Sequence, residues 1–335
     1  MNRLRMGLLG AGRWGTNYVK LLAEHPAFEL TAAFDPDPQA LARVEAIAPR
    51  AVAPSADAVI GAGVDALVIA TPASTHAALS CRALEAGLHV LVEKPLATNV
   101  HDARRIARAA GGRVVLVGHV VFHVPVLAHL IDRLELLGTP SVTRHVRISS
   151  GARHSTEDTV WALGPHDVAL ALRMQRGVPS AVRARSSGPA VEAVARFSNG
   201  AESRFHFSRA GAGPIRELEV EGDGYRLRAD ERNGRFEECV DGCTSEIVVG
   251  TTTAPLRAQC EHFRSCIAGE SEPVEAVADN VANVRVLSAM AQSLANGGGW
   301  ISIEPENIGQ DALRSAPSSE AGWHSLNAAA LAASD

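Results

Sequence analysis

Three glycines at fixed spacing, Gly10-Ala11-Gly12-Arg13-Trp14-Gly15, follow directly on the apolar stretch Met6-Gly7-Leu8-Leu9. They open a segment, Asn17 to Glu24, that carries Tyr18, Leu21 and Leu22 at helical spacing. Each glycine of such a G-x-G-x-x-G turn answers a steric demand: a tight turn, close approach of backbone to a pyrophosphate, and packing of helix on strand. A second strand, Phe28 to Phe34, ends at Asp35. That is about twenty residues beyond the glycines, where an acid accepts from the adenosine ribose 2′-hydroxyl. Glycines, strand and acid in register predict a dinucleotide-binding sheet. The acid favours NAD over NADP, whose 2′-phosphate it would repel.

The same grammar continues to about residue 120. A helix is expected over Pro38 to Ile47, a short strand near Ala51-Val52, a helix from Ser55 to Ile60, and a fully apolar strand Ala66 to Ala70 that stops at Thr71-Pro72. Ser74-Thr75-His76 then opens a helix with a hydroxyl residue as N-cap. Thr98 or Asn99 caps another, and Val114 to Val117 is the next strand, closing at Gly118-His119. Strand and helix units of this size predict a doubly wound parallel sheet in a Rossmann domain, residues 1–120.

Between two of these helices lies Gly87-Leu88-His89-Val90-Leu91-Val92-Glu93-Lys94-Pro95, a short apolar strand that ends in a charged pair and a proline. Proline cannot continue a ladder, so Glu93 and Lys94 are expected at the carboxyl edge, where open α/β sheets bind ligands. Among 32 basic residues only Lys20 and Lys94 are lysines. A lysine can exchange a proton where an arginine cannot, so Lys94 beside an acid points to chemistry.

Beyond residue 120 a helix from Val126 to Leu137 ends at Gly138, and extended segments then dominate. Asn199-Gly200, Asp223-Gly224 and Asn233-Gly234 mark tight turns between them. A second domain, 121–305, is therefore expected to be α+β with a largely antiparallel open sheet. Helices at His166 to Met174 and Leu256 to Ile267 should cover one face, and Val274 to Ala295 reads as a helix that returns to the first domain. Residues 306–335, rich in Ala and Ser, read as a tail on which Trp323 and Leu326 could dock. At 335 residues two domains are the natural division.

A net charge of −5 argues against nucleic acid as a partner. Five cysteines without a regular framework fit a reducing compartment and show no zinc spacing. Met1 to Arg5 lead into the first strand without a signal sequence, and no run is long and apolar enough for a bilayer. The expectation is a cytoplasmic protein that binds neither metal nor membrane.

Gly10 to Gly15, Ala70-Thr71-Pro72 with His76, Glu93-Lys94-Pro95 and Gly164-Pro165-His166-Asp167 together resemble the Gfo/Idh/MocA family of sugar and cyclitol oxidoreductases. The resemblance implies NAD bound by Gly10, Gly12, Arg13, Trp14, Gly15, Asp35, Thr71, Pro72, His76 and Glu93. It implies Lys94 beside nicotinamide and substrate, and His166 on a helix of the second domain as acid/base, two roles the pair could exchange. Gly118-His119, Val160 to Asp167, and Pro255-Leu256-Arg257 leading into Cys260-Glu261-His262-Phe263 are similar to nucleotide-sugar dehydrogenases of the UDP-N-acetylglucosaminuronate 3-dehydrogenase type. These enzymes commonly carry an aspartate four residues before the histidine, and here that position is Ala162, with Asp158 and Asp167 as nearby carboxylates. His119, Arg147, Arg153 and Trp161 are the candidate substrate contacts. A sugar hydroxyl or ketone, at C3 of a nucleotide-linked sugar, is the expected substrate. A free cyclitol or aldose, or a non-catalytic NAD(H)-binding regulator, are the alternatives. The resemblance also implies a homo-oligomer, dimer or tetramer, through the open sheet face, where Arg183, Arg185, Arg204 and His206 alternate outward.

Overall fold

The computed structural model describes residues 3–149, 159–250 and 253–304. Within them the chain forms two compact units, 3–118 with 259–281, and 119–258 with 282–304. The segment expected as one second domain is thus shared, because 259–281 joins the first unit.

In the first unit, chain order is β1 (Leu4–Leu9), α1 (Gly15–Glu24), β2 (Phe28–Phe34), α2 (Pro38–Ile47), α3 (Ala56–Ile60), β3 (Ala66–Ile69), α4 (His76–Glu85), β4 (His89–Val92), α5 (Val100–Ala109) and β5 (Val115–Val117). The sheet is all parallel in the order β2-β1-β3-β4-β5. β3 and the Val90–Val92 stretch are fully buried, as strands sandwiched between helix layers must be. The strand order reverses between β1 and β3, which places the topological switch point, and a ligand crevice, at the ends of Leu9 and Ile69.

Local chemistry sets the helix starts. Asp37 accepts from the Gln39 amide and Pro38 stands at the first helical position of α2. Ser55 caps α3, and Asn99, not Thr98, caps α5 through the Asp102 amide at 2.9 Å. α4 departs from expectation, since no side chain caps it. A 3-10 turn over Ala73–Thr75 already holds Thr75 near helical angles, so its hydroxyl turns back to the Pro72 carbonyl at 2.7 Å. Ala51-Val52 forms only a single bridge to Ala33 after a 3-10 turn.

The second unit contains α6 (Pro125–Leu137), β6 (Val142–Ile148), α7 (Thr159–Gln175), β7 (Ala181–Ser187), β8 (Ala190–Arg196), β9 (Glu202–Ser208), β10 (Ile215–Gly222), β11 (Tyr225–Asp230), β12 (Arg235–Val240), β13 (Cys243–Val248) and β14 (Ile301–Ser302). Helices α8 (Pro255–Ile267) and α9 (Val277–Ala295) are each divided between the units. The nine-stranded sheet runs β13-β12-β11-β10-β6-β9-β8-β7-β14 and is antiparallel except for β6 beside β9. Gly200, Gly224 and Gly234 make the expected turns at positive φ. A fourth tight turn, Asp241-Gly242, pairs β12 with β13.

α7 lies close on this sheet. A Cβ on Gly164 would stand 2.9 Å from Leu287 and 3.4 Å from Phe207, so glycine is what the approach permits. Behind it, Val168, Phe205, Phe207, Leu287 and Met290 form an apolar core against which Trp161 packs.

Candidate functional site

In the first unit the fingerprint turn has the form that its sequence demands. Gly10 has φ +90° and its Cβ would lie 2.5 Å from the Ala70 carbonyl; a Cβ on Gly15 would lie 2.0 Å from the Gly10 carbonyl. Both glycines are therefore required by the protein itself. Gly12 is different, because nothing lies within 4 Å of a Cβ there. The space beside Gly12 suits close approach of a dinucleotide pyrophosphate, and the residues present fit such a group.

Asp35 follows β2 and is half-exposed. Its carboxylate accepts from the Ala11 amide at 2.7 Å and the Asp37 amide at 2.8 Å. Those bonds tie the acid to the fingerprint turn, and a carboxylate with about four acceptor sites can still take a ribose hydroxyl.

β4 delivers Glu93 and Lys94 to the carboxyl edge as expected, with the Glu93 amide still bonded to the Ile69 carbonyl at 2.8 Å. The Lys94–Pro95 peptide bond is cis. Glu93 is engaged by the protein itself. Its Oε1 accepts from the Tyr18 hydroxyl at 2.7 Å and from the indole of Trp14, and its Oε2 from the Lys94 amide at 3.2 Å. Burial pushes the Glu93 carboxyl up, and these donors with the Lys94 charge oppose that rise. Tyr18 is fully buried and receives the Gln259 amide at 3.0 Å. Its phenol is raised well above the usual range by burial first, then by the Glu93 charge. A Cβ on Gly118 would fall 2.9 Å from Glu93 Oε1, so the end of β5 is shaped around this carboxylate. Glu93 joins the fingerprint turn to the Lys94 loop. Neither Tyr18 nor Gln259 belongs to a local motif, so their link to Glu93 is not legible in the sequence.

His76, expected at the cofactor, is 1% exposed. Its Nδ1 lies 2.8 Å from the Pro95 carbonyl and its Nε2 2.9 Å from the Thr71 carbonyl. With a backbone oxygen beside each ring nitrogen it braces the Thr71 and Lys94-Pro95 loops. Thr71 is half-buried and Pro72 exposed beside it. Arg13 and Trp14 are exposed on the turn.

In the second unit His166 sits on α7 directly after Pro165, whose carbonyl accepts from the Asn283 amide at 2.8 Å. His119, 2% exposed at the end of the β5 connection, places its Nδ1 3.4 Å from His166 Nδ1. Two of the expected residues therefore meet. Arg147 does not serve as expected. It is 7% exposed and binds Asp167 through two bonds of 2.5 and 3.1 Å and Glu231 at 3.2 Å, so its charge is spent inside the protein rather than on a substrate. Burial acts to raise the Asp167 carboxyl, but the Arg147 charge and hydrogen bonds, with His145 nearby, outweigh it and hold the carboxyl at about 2. Asp167 thus belongs to Arg147 and does not stand in for a carboxylate at Ala162. Trp161 packs against the α7 core. Arg153 and Asp158 lie outside the described residues. Among the described residues no cluster of His, Cys, Asp and Glu could hold a metal ion, and no helix is long and apolar enough to cross a membrane.

Residues 4–119 match the Gfo/Idh/MocA model, an oxidoreductase family with an NAD-binding Rossmann fold. The UDP-N-acetylglucosamine 3-dehydrogenase of Acidithiobacillus ferrooxidans is 28% identical over 310 residues, 87% of this chain and 96% of that enzyme. Its solved structure superposes with a TM-score of 0.79, covering 88% of this chain and 98% of its own, at 27% identity. The family match thus covers the parallel-sheet part of the first unit. Inositol 2-dehydrogenase 4 of Saccharopolyspora erythraea is 32% identical over 201 residues, 53% of this chain and 59% of that enzyme. The similar proteins are named dehydrogenases, and the matched residues are those of an oxidoreductase family with an NAD-binding Rossmann fold.

Proposed function

We propose that this protein is an NAD-dependent dehydrogenase of the Gfo/Idh/MocA family that interconverts a secondary hydroxyl and a ketone at C3 of a nucleotide-linked sugar. The observation that carries this reading is the similarity to a UDP-N-acetylglucosamine 3-dehydrogenase, which extends over 87% of this chain and 96% of that one. Inositol dehydrogenases match more strongly in identity but over shorter stretches, and a free cyclitol is the second reading.

Gly10, Gly12 and Gly15 would hold the pyrophosphate, and Asp35 the adenosine ribose, with NAD preferred because its ribose offers a hydroxyl where NADP carries a phosphate. Bound dinucleotide supplies a hydride acceptor. The proton chemistry falls to the protein: His166 takes the hydroxyl proton and Lys94 stabilises developing alkoxide charge. Glu93, Tyr18 and Trp14 hold the strand end that carries Lys94. Exposed Trp300, under Arg183 at 5.0 Å and Arg196 at 4.4 Å, lies on the open sheet face through which we propose self-association.

The test is NADH formation with UDP- and dTDP-hexosamines and hexuronates beside free inositols and aldoses. Turnover confined to the nucleotide-linked set supports the reading, and turnover confined to free sugars overturns the substrate. Silence in both directions, with NADH bound, would favour a non-catalytic regulator. Lys94→Met should retain NADH affinity and lose turnover; retention of most of the rate removes Lys94 from the mechanism.

A further inference from the structure

We propose that His119 is a positioning residue for His166: it accepts a hydrogen bond from His166 Nδ1 and so fixes His166 in the tautomer whose Nε2 can take a proton. The proposal rests on the dehydrogenase reading for its consequence in catalysis, but its geometry stands apart from that reading.

The two imidazoles meet Nδ1 to Nδ1 at 3.4 Å, with ring planes at 75° and centroids 5.5 Å apart. Neither ring is loosely held. His119 is 2% exposed, its carbonyl accepts from the Phe122 amide at 3.1 Å, and its ring meets Phe122 edge to face at 6.3 Å. His166 follows Pro165, which is tied to Asn283, and precedes Asp167, which is locked to Arg147.

An Nδ1–Nδ1 bond needs one donor and one acceptor, so the pair has two arrangements. In one, His166 Nδ1 donates and His166 Nε2 carries the lone pair. In the other, His119 donates and His166 Nε2 already carries a hydrogen. Only the first makes Nε2 a base toward a hydroxyl, and neutral imidazole in water does not adopt it by default. A second group must set the tautomer, as an oriented partner does for a catalytic histidine elsewhere. A carboxylate at residue 162, one turn before His166 on α7, could serve as that partner, whereas the residue there is alanine, whose side chain is a methyl group. His119 reaches the same nitrogen from outside the helix. The proton balance is simple: His166 Nε2 gains the substrate proton while its Nδ1 hydrogen stays in place, and the bond to His119 becomes charge-assisted.

The experiment uses full-length protein labelled with nitrogen-15 histidine, near neutral pH, with the His166 signals assigned by their loss in His166→Gln. Two-bond nitrogen–proton correlations report which ring nitrogen carries the hydrogen without any need for turnover. His166 is expected as the Nδ1-protonated tautomer in the wild type. It should revert to the Nε2-protonated form in His119→Ala and hold the Nδ1 form in His119→Asn, whose Oδ1 can accept in place of the imidazole nitrogen. If an active substrate is found, His119→Ala should lose about 10- to 100-fold in kcat with KM little changed. His119→Asn, or Ala162→Asp added to His119→Ala, should recover most of it. A wild-type His166 protonated on Nε2, or an Nδ1 tautomer that survives His119→Ala, overturns the proposal. An Nδ1 tautomer that depends on His119, in a protein that turns over no sugar, upholds the pairing and sinks the dehydrogenase reading alone.

Discussion

Replacing Arg147 with methionine tests the price in stability of a charge cluster inside the second sheet. Arg147 is 7% exposed and holds both Asp167 and Glu231. Its removal orphans only one of them, because Glu231 keeps Arg216 at 2.9 Å, whereas Asp167 is left with His145 at 3.7 Å. Leaving one buried charge without its partner costs about 3–5 kcal/mol. The Asp167 carboxyl points the same way: it is held at about 2 against an ordinary 3.8, because the Arg147 charge outweighs the effect of burial. Urea unfolding followed by circular dichroism should therefore show Arg147→Met less stable by about 3 kcal/mol or more at neutral pH. Arg147→Met combined with Asp167→Leu removes both charges and should be closer to wild type than Arg147→Met alone. The sign with pH follows from the depressed carboxyl. Its stabilisation is present above the unfolded value near 4 and is lost as pH falls through about 2, so wild type and Arg147→Met should converge over that interval. A single variant within about 1 kcal/mol of wild type, or a double variant as unstable as the sum of the singles, would refute the reasoning.

Gly12→Ala should leave the melting temperature unchanged and weaken NADH binding, since the added Cβ meets no protein atom, whereas Gly15→Ala should lose stability because its Cβ must displace the Gly10 carbonyl; thermal melts beside NADH fluorescence titrations separate the two. Tyr18→Phe takes a donor from Glu93 and an acceptor from Gln259 and should cost about 1–3 kcal/mol. A variant as stable as wild type in chemical denaturation would show that this network carries little energy. Asp35→Ser removes the carboxylate that a 2′-phosphate would meet, so the ratio of NADPH to NADH affinity should rise; an unchanged ratio in parallel titrations would take cofactor choice away from Asp35.

Much of the first unit could be read from the chain because its signals are local. Gly10 to Gly15 and the acid at Asp35 are short-range demands, and Asn99 caps a helix through an amide three residues away. Glu93 and Lys94 could likewise be placed at a strand end from Pro95 alone. The second unit was less legible. The Asp241-Gly242 turn and the β12–β13 hairpin went unread, and α7 begins before the expected His166.

β6 marks the division most clearly. Its buried face consists of Thr143, His145 and Arg147, while Val142, Val146 and Ile148 are only half-buried on the other, the reverse of apolar-in alternation. No local pattern could predict that inversion, because the partners that make it affordable, Asp167 and Glu231, come from 20 and 84 residues away. The same distance hid the ring contacts of His76 and His119, which are made by backbone or side chains on other elements. The sequence by itself determined the dinucleotide-binding half and the residue types available for proton transfer, since turn sterics, caps and periodicity act between near neighbours. Only the tertiary structure decided which polar groups face one another, since a buried charge or imidazole takes its state from whatever the fold brings against it.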